Sequence, residues 1–282
     1  METMELNQEP QTVENKEEKK REVIEKIERG ELILSFSAIK EFAKSPMHFI
    51  NYKLGDKKQT PAMKQGTLIH CAILEPEELE NRYCILEQSM LPNPDKDFRN
   101  TENKNFKQLF EEEARAKNKE IISPAEWQNA CDRRDLAYNN EVVSPYLKGL
   151  KQTEIGATWE FGGYQWRGVL DGIGPSYVLD LKTVDSAAPD KIKWKAIHEK
   201  YAWQQFLYRQ SPMVYPYFSN FNLLVDSEMG MSLLKIEWND LAKAEAEILK
   251  ILEQFKICTE NNLWNQNYEF WANNSGGYFT ID

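Results

Sequence analysis

The chain has 282 residues, a mass of 33.0 kDa and a formal net charge of −10. Hydrophobic residues make up 41% and charged residues 28%, which is enough apolar sequence for a packed core and excludes wholesale disorder. No apolar run approaches the roughly 20 residues a membrane helix needs, and the acidic balance argues against a surface coated for nucleic acid while leaving room for a local basic groove or an acidic cation-binding cluster. The polar start, METMELNQEPQTVENKEEKK, lacks the apolar stretch of a signal peptide, so the expected compartment is the cytoplasm. Cys71, Cys84, Cys131 and Cys258 form no CxxC pair, so neither a zinc site nor a disulfide framework is readable.

Residues 1–30 are rich in Glu and Lys and read as a charged, mobile or partly helical arm, with folded structure expected from Leu32 and one domain over 31–282. SAIKEFAKS predicts a short helix capped by Ser35 or Ser37, with Pro46 as its stop. Thr60-Pro61 is a cap and first-turn pair for a helix running toward Pro76. Residues 90–150 read as a helical insert that opens with the loop LPNPDKDFRN. Within the insert, Ser123-Pro-Ala-Glu126 resembles a capping box.

After Gly149 the period becomes strand-like. Strands are expected over 153–161, 164–173 and 177–184, with turns at Gly162-Gly163 and Gly174-Pro175. Helices follow around 190–197 and 201–209. Two further strands are expected at 221–226 and 232–237, and then a long helix over 240–258 with Asn239 as its cap. The tail, rich in Trp, Asn and Tyr, is expected to lie over the core. The order implies an α+β or mixed α/β layered domain, with a sheet flanked by helices.

The chemistry concentrates in GVLDGIGPSYVLDLKT. Asp180 and Lys182 are at i and i+2 on one strand and so point to the same side. Antiparallel pairing across Gly174-Pro175 would bring Asp171 beside them. Two close carboxylates repel, and a divalent cation with hard oxygen ligands, Mg²⁺ or Mn²⁺, relieves that repulsion. The pattern D-x(8)-D-x-K is equally compatible with a surface hairpin carrying an ordinary Asp180–Lys182 salt bridge. Gln204 and Tyr208, at i and i+4, share a helix face suited to a phosphate or a base edge, or to plain core packing. His70, among apolar residues, is either a satisfied core histidine or an imidazole for the site.

Four segments together resemble the PD-(D/E)XK nuclease superfamily. Within it they are similar to the C-terminal nuclease domain of exonuclease VIII, the RecE-type phage recombination exonucleases. The segments are LSFSAIKEFAKSPMHF, AMKQGTLIHCAILEP, the pair GVLDGIG and VLDLKT, and the helix bearing Gln204 and Tyr208. The resemblance implies a restriction-endonuclease-like core. It assigns Asp171, Asp180, His70 and the backbone carbonyl of Leu181 as metal ligands and Lys182 as the catalytic lysine. It makes Gln204 and Tyr208 DNA-facing residues and gives Glu154 an acidic role of uncertain kind. Relatives with an iron–sulfur cluster carry three cysteines near the C-terminus, whereas only Cys258 lies there, so no cluster is expected.

The activity implied is Mg²⁺-dependent exonuclease cleavage, with Mn²⁺ as substitute, of linear double-stranded DNA ends in the 5′→3′ direction. A ring-like homo-oligomer and a single-strand annealing protein as partner are implied with it. An endonuclease or flap nuclease on the same fold is the nearest alternative. A catalytically silent DNA-binding or interaction module is the other, and the intact Asp171, Asp180 and Lys182 argue against it.

Overall fold

The computed structural model describes residues 9–55, 59–97 and 99–274. The three central strands form as their spacing predicts: β3 (Gln152–Phe161), β4 (Tyr164–Ile173) and β5 (Tyr177–Val184). Before them come helices α1 (Glu9–Glu28), α2 (Phe36–Phe42), α3 (Pro46–Leu54), α4 (Pro61–Leu74) and α5 (Leu79–Arg82), and the short strand β1 (Tyr83–Ile85). These are followed by α6 (Thr101–Ala116), β2 (Glu120–Ile122), α7 (Pro124–Asn139) and α8 (Ser144–Lys148). After β5 come α9 (Pro189–His198), α10 (Tyr201–Arg209), β6 (Ser219–Asp226), β7 (Met231–Ile236), α11 (Trp238–Glu260) and α12 (Glu269–Asn274).

The central sheet has the order β3-β4-β5-β6-β7 and is mixed, since β5 and β6 pair in parallel and the other neighbours are antiparallel. The parallel pair requires a crossover, which α9 and α10 supply. Helices cover both faces. Residues of α2, α3, α10 and α11 build one apolar cluster around Phe42, Phe49, Trp166, Leu207 and Phe255. On the other side, α4, α7 and α8 pack Ile69, Ile73 and Leu147 against Leu179, Leu181 and Leu223. Tyr177 through Leu181 are therefore all buried, as in a strand sandwiched between helix layers. The β3–β4 turn uses Gly162 and Gly163 at φ 60° and 79°, and a side chain at Gly162 would strike Leu252.

Several expectations are corrected. Pro46 does not stop a helix: α2 ends at Phe42, and Pro46 opens α3, with Ser45 Oγ accepting from the His48 N–H. The charged lead is helical from Glu9 and Ile27 enters the core, so folded structure precedes Leu32; residues 1–8 lie outside the described residues. The insert contributes β2 to a two-stranded parallel ribbon with β1, which precedes the insert, and both strands are too short to leave a periodic signal. The long helix begins at Trp238 after Glu237, with no side-chain cap, so Asn239 is inside it. The capping box at Ser123 and Glu126 forms as expected, and Ser35 caps α2. Trp264 and Phe270 of the tail are buried in the core; residues 275–282 lie outside the described residues.

Candidate active site

The site forms where two strands separate. β4 and β5 pair only at Gly172↔Leu179 and Ile173↔Val178. Asp171 and Asp180, the next residues along, would have been the next pair. Beyond them, the outer side of β4 is taken by Leu34, which bonds Gln165 and the Arg167 N–H. In place of the lost rung, Asp171 Oδ2 accepts from the Leu181 N–H at 2.7 Å. The N–H and C=O of a strand residue face the same neighbour, so the Leu181 carbonyl also faces this gap.

The strand next door is distorted at the same level. Glu154, opposite Asp171, has φ 50° and drops out of the β3–β4 register between Thr153↔Gly172 and Ile155↔Leu170. A left-handed residue other than glycine costs about 1–2 kcal/mol. The alternation of β4 slips here too: a Cβ on Gly168 would meet Tyr208 and Trp159, while one on Gly172 would meet Leu150 on the opposite cluster. The backbone strain thus coincides with the acidic residues, which is where strain is usually retained for function.

His70 reaches the gap from α4. Its Nδ1 lies 3.8 Å from Glu154 Oε1 and 3.8 Å from Asp171 Oδ2, and the three ligand atoms lie within 4.8 Å of one another. Asp180 is fully buried and its oxygens are already engaged. Oδ2 accepts from Lys182 Nζ at 2.8 Å and Asn222 Nδ2 at 2.8 Å, and Oδ1 accepts from Gln204 Nε2 at 2.9 Å. Gln204 Nε2 also donates to Tyr208 Oη at 2.7 Å, and Gln204 Oε1 is buried with no partner among the described residues. The structure therefore brings all the expected side chains to one place in two groups: His70, Glu154 and Asp171 on one hand, and Asp180, Lys182, Gln204 and Tyr208 on the other.

The electrostatics reflect a surplus of negative charge. Burial, and then the neighbouring Asp180, push the Asp171 carboxyl up to about 7. For His70, burial favours the neutral ring, but Glu154 and Asp171 outweigh it and hold the imidazole above its ordinary value. Lys182 behaves alike: burial opposes its charge, yet Asp180 and Asp171 raise its affinity for the proton. Tyr208 is driven upward, chiefly by burial, and remains a neutral phenol. An imidazole nitrogen and carboxylate oxygens with unrelieved mutual repulsion fit a divalent cation.

Asn222 escaped the sequence reading. The signal was present, since Asn220 and Asn222 alternate with apolar residues on a strand that is buried almost throughout. A small cavity of about 190 Å³ adjoins Gln204 and Tyr208 and is lined also by Ser35, Ser37, Trp159 and Arg167.

A family described as a PDDEXK-like domain of unknown function matches residues 35–222, two thirds of the chain. The chain belongs to this PDDEXK-like family. The matched span runs from the cap of α2 to Asn222 and so encloses every site residue named above. A crystal structure named for a candidate exonuclease from Eubacterium rectale superposes with a TM-score of 0.55 at 15% identity, covering 92% of this chain and 88% of that one. At that identity the likeness establishes the fold of this PDDEXK-like protein, a mixed sheet between helical layers. A structure named SSO0001 aligns at TM-score 0.28 and 16% identity over 54% of this chain and 68% of that one, too low to carry an argument. No curated protein matches. None of the described helices is long and apolar enough to cross a membrane.

Proposed function

We propose that this PDDEXK-like protein is a Mg²⁺-dependent DNA exonuclease acting on ends of linear duplex in the 5′→3′ direction. The observation that carries the reading is the meeting of His70, Glu154 and Asp171 with the Asp180–Lys182 pair at the parting of β4 and β5. His70, Asp171 and Asp180, with the Leu181 carbonyl and Glu154, are the groups that would hold the cation. A bound divalent ion would supply a nucleophilic water at neutral pH and neutralise charge on the phosphodiester.

The remaining roles fall to the chain itself. Lys182 keeps its proton beside Asp180, so a fixed positive charge stands where a phosphate gains negative charge during attack. Gln204 and Tyr208 line the side of the site from α10. Gln204 holds Asp180 from behind, and the Ser35–Arg167 cavity provides room and a cation for the backbone of an incoming strand. The likeness to the candidate exonuclease supports the exonuclease form, and the resemblance to RecE-type enzymes supports duplex ends. A phage-type recombination role with a single-strand annealing partner, a homo-oligomeric ring and a cytoplasmic setting complete the proposal.

The test is a linear duplex labelled at either its 5′ or its 3′ end, run beside a covalently closed circle, in millimolar Mg²⁺ or in EDTA. The expected result is early release of the 5′ label, an intact circle and no release in EDTA. Cutting of the circle would make the protein an endonuclease. Intact DNA in every lane would leave a binding module.

A further inference from the structure

Asp180 is the one acid of the site whose oxygens are nearly saturated by the protein, and the donor that the nuclease reading does not use is Asn222. A carboxylate offers about four lone-pair positions. Lys182 and Asn222 occupy both on Oδ2, and Gln204 occupies one on Oδ1, so a single position on Oδ1 is left.

Asn222 does not stand alone. Gln205 Nε2 donates to Phe221 O at 3.1 Å and reaches Asn222 Oδ1 at 3.5 Å. Gln205 Oε1 accepts from Asn220 Nδ2 at 2.9 Å, and Asn220 Oδ1 accepts from Arg209 Nη1 at 3.0 Å. A row of buried amides thus runs from Asp180 along β6 to the end of α10. Asn222 is fully buried, Asn220 is 1% exposed and Gln205 is fully buried. Apolar residues would fill the same volume at lower cost in desolvation, so the row calls for a use. Along it, α10 presents Gln204 and Tyr208 to Asp180 while Gln205 and Arg209 grip β6, which ties the angle of the helix to the orientation of one carboxylate.

We infer that Asn222 is a positioning residue that fixes the Asp180 carboxylate so that one Oδ1 lone pair faces a cation and Lys182 stays docked on Oδ2. The inference rests on the nuclease reading above. Partners that orient a ligand from behind typically contribute 10–100-fold to metal affinity. Gln205 acts through Asn222, so its loss is expected to be smaller and in the same direction.

The experiment is a double-mutant cycle of Asn222→Leu, Gln205→Met and the double variant, with Mn²⁺ affinity of the metal-free protein measured by calorimetry, DNA turnover and melting temperature. Asn222→Leu is expected to weaken Mn²⁺ binding about 10-fold or more and to lower kcat by a similar factor with KM for DNA unchanged. Gln205→Met is expected to lose less. The double variant should bind Mn²⁺ no worse than Asn222→Leu, because the two act in series. If Asn222→Leu does not fold, Gln205→Met alone must still weaken Mn²⁺ binding. Lower melting temperatures with unchanged Mn²⁺ affinity and kcat would overturn the positioning role and leave a structural amide row. Wild-type protein that neither binds Mn²⁺ nor cleaves DNA would instead remove the nuclease reading, and the inference with it.

Discussion

Asp171 and Asp226 are each 8% exposed and stand on strands of the same sheet, yet their charges meet opposite treatment. At Asp226, burial alone would disfavour the carboxylate. The N–H groups of Ala187, Gly230 and Glu228 outweigh it, with Arg133 nearby, and hold the group below its usual range. At Asp171, burial is compounded by Asp180 and only partly offset by His70, Lys182 and one backbone N–H, and the carboxyl climbs to about 7. The first region is satisfied: Asp226 braces the β6–β7 turn, and the buried guanidinium of Arg133 donates to Asp226 O at 3.0 and 3.1 Å and to Ser227 O at 3.1 Å, fastening α7 to the sheet. The second is left in conflict. Equal exposure hides unequal surroundings: Asp171 lies deep beside a second carboxylate with one N–H donor, whereas Asp226 lies at a turn among three.

The largest effect expected from this contrast is on turnover. Asp171→Asn keeps an oxygen for the Leu181 N–H but removes a charge, and DNA cleavage should fall about 1,000-fold or more, while the metal-free protein gains stability at pH 8. A variant that cleaves well would break the assignment of the conflict to catalysis. Lys182→Ala should lose about 100-fold in rate with Mn²⁺ affinity retained. If it lowers melting temperature and spares the rate, the pair with Asp180 is an ordinary salt bridge.

The satisfied region should answer in stability. Arg133→Met strands the Asp226 and Ser227 carbonyls in the interior and should cost about 2–4 kcal/mol in a denaturant titration, with Mn²⁺ affinity unchanged. Altered Mn²⁺ binding in that variant would show that the two regions are not separate.

The smallest effect is the most diagnostic, because the two aspartates must show opposite slopes with pH. A carboxyl raised by folding gives stability that is fully present below its unfolded value near 4 and is lost as pH rises through about 7. His70, also raised, adds in the same sense, with stability lost as pH climbs through its folded value. A carboxyl lowered by folding gives stability above its unfolded value that is lost as pH falls through the folded one. Metal-free melting curves should therefore fall between pH 5 and pH 8 in a way that Asp171→Asn flattens. Asp226→Asn should alter only the acid limb.

Much of this was open to a reading of the residues. The three central strands, both turns and the Gln204–Tyr208 helix formed where their periods and turn residues put them, because each is specified locally by glycine, proline and alternation. Asp171, Asp180 and Lys182 were visible as a strand-borne pattern, and the fold carries His70 to them from α4. What escaped has physical reasons. Ser45-Pro46 is a helix start as much as a stop, and the start prevailed. The β1–β2 ribbon has three residues on each side and no alternation to read. Glu154 drew attention as an acid on a strand, but its left-handed backbone and the parting of β4 from β5 belong to tertiary structure. Asn222 matters only through the carboxylate that α10 and β6 bring beside it.

The most direct measurement is the change in melting temperature on adding millimolar Mn²⁺ at pH 8 to wild-type protein and to Asp171→Asn. A cation that resolves the conflict binds the folded state alone and stabilises it by mass action, about 2.7 kcal/mol at 100 times its dissociation constant. The wild type should rise by several degrees and Asp171→Asn should barely move. An equal rise in both, or none in the wild type, would contradict the account.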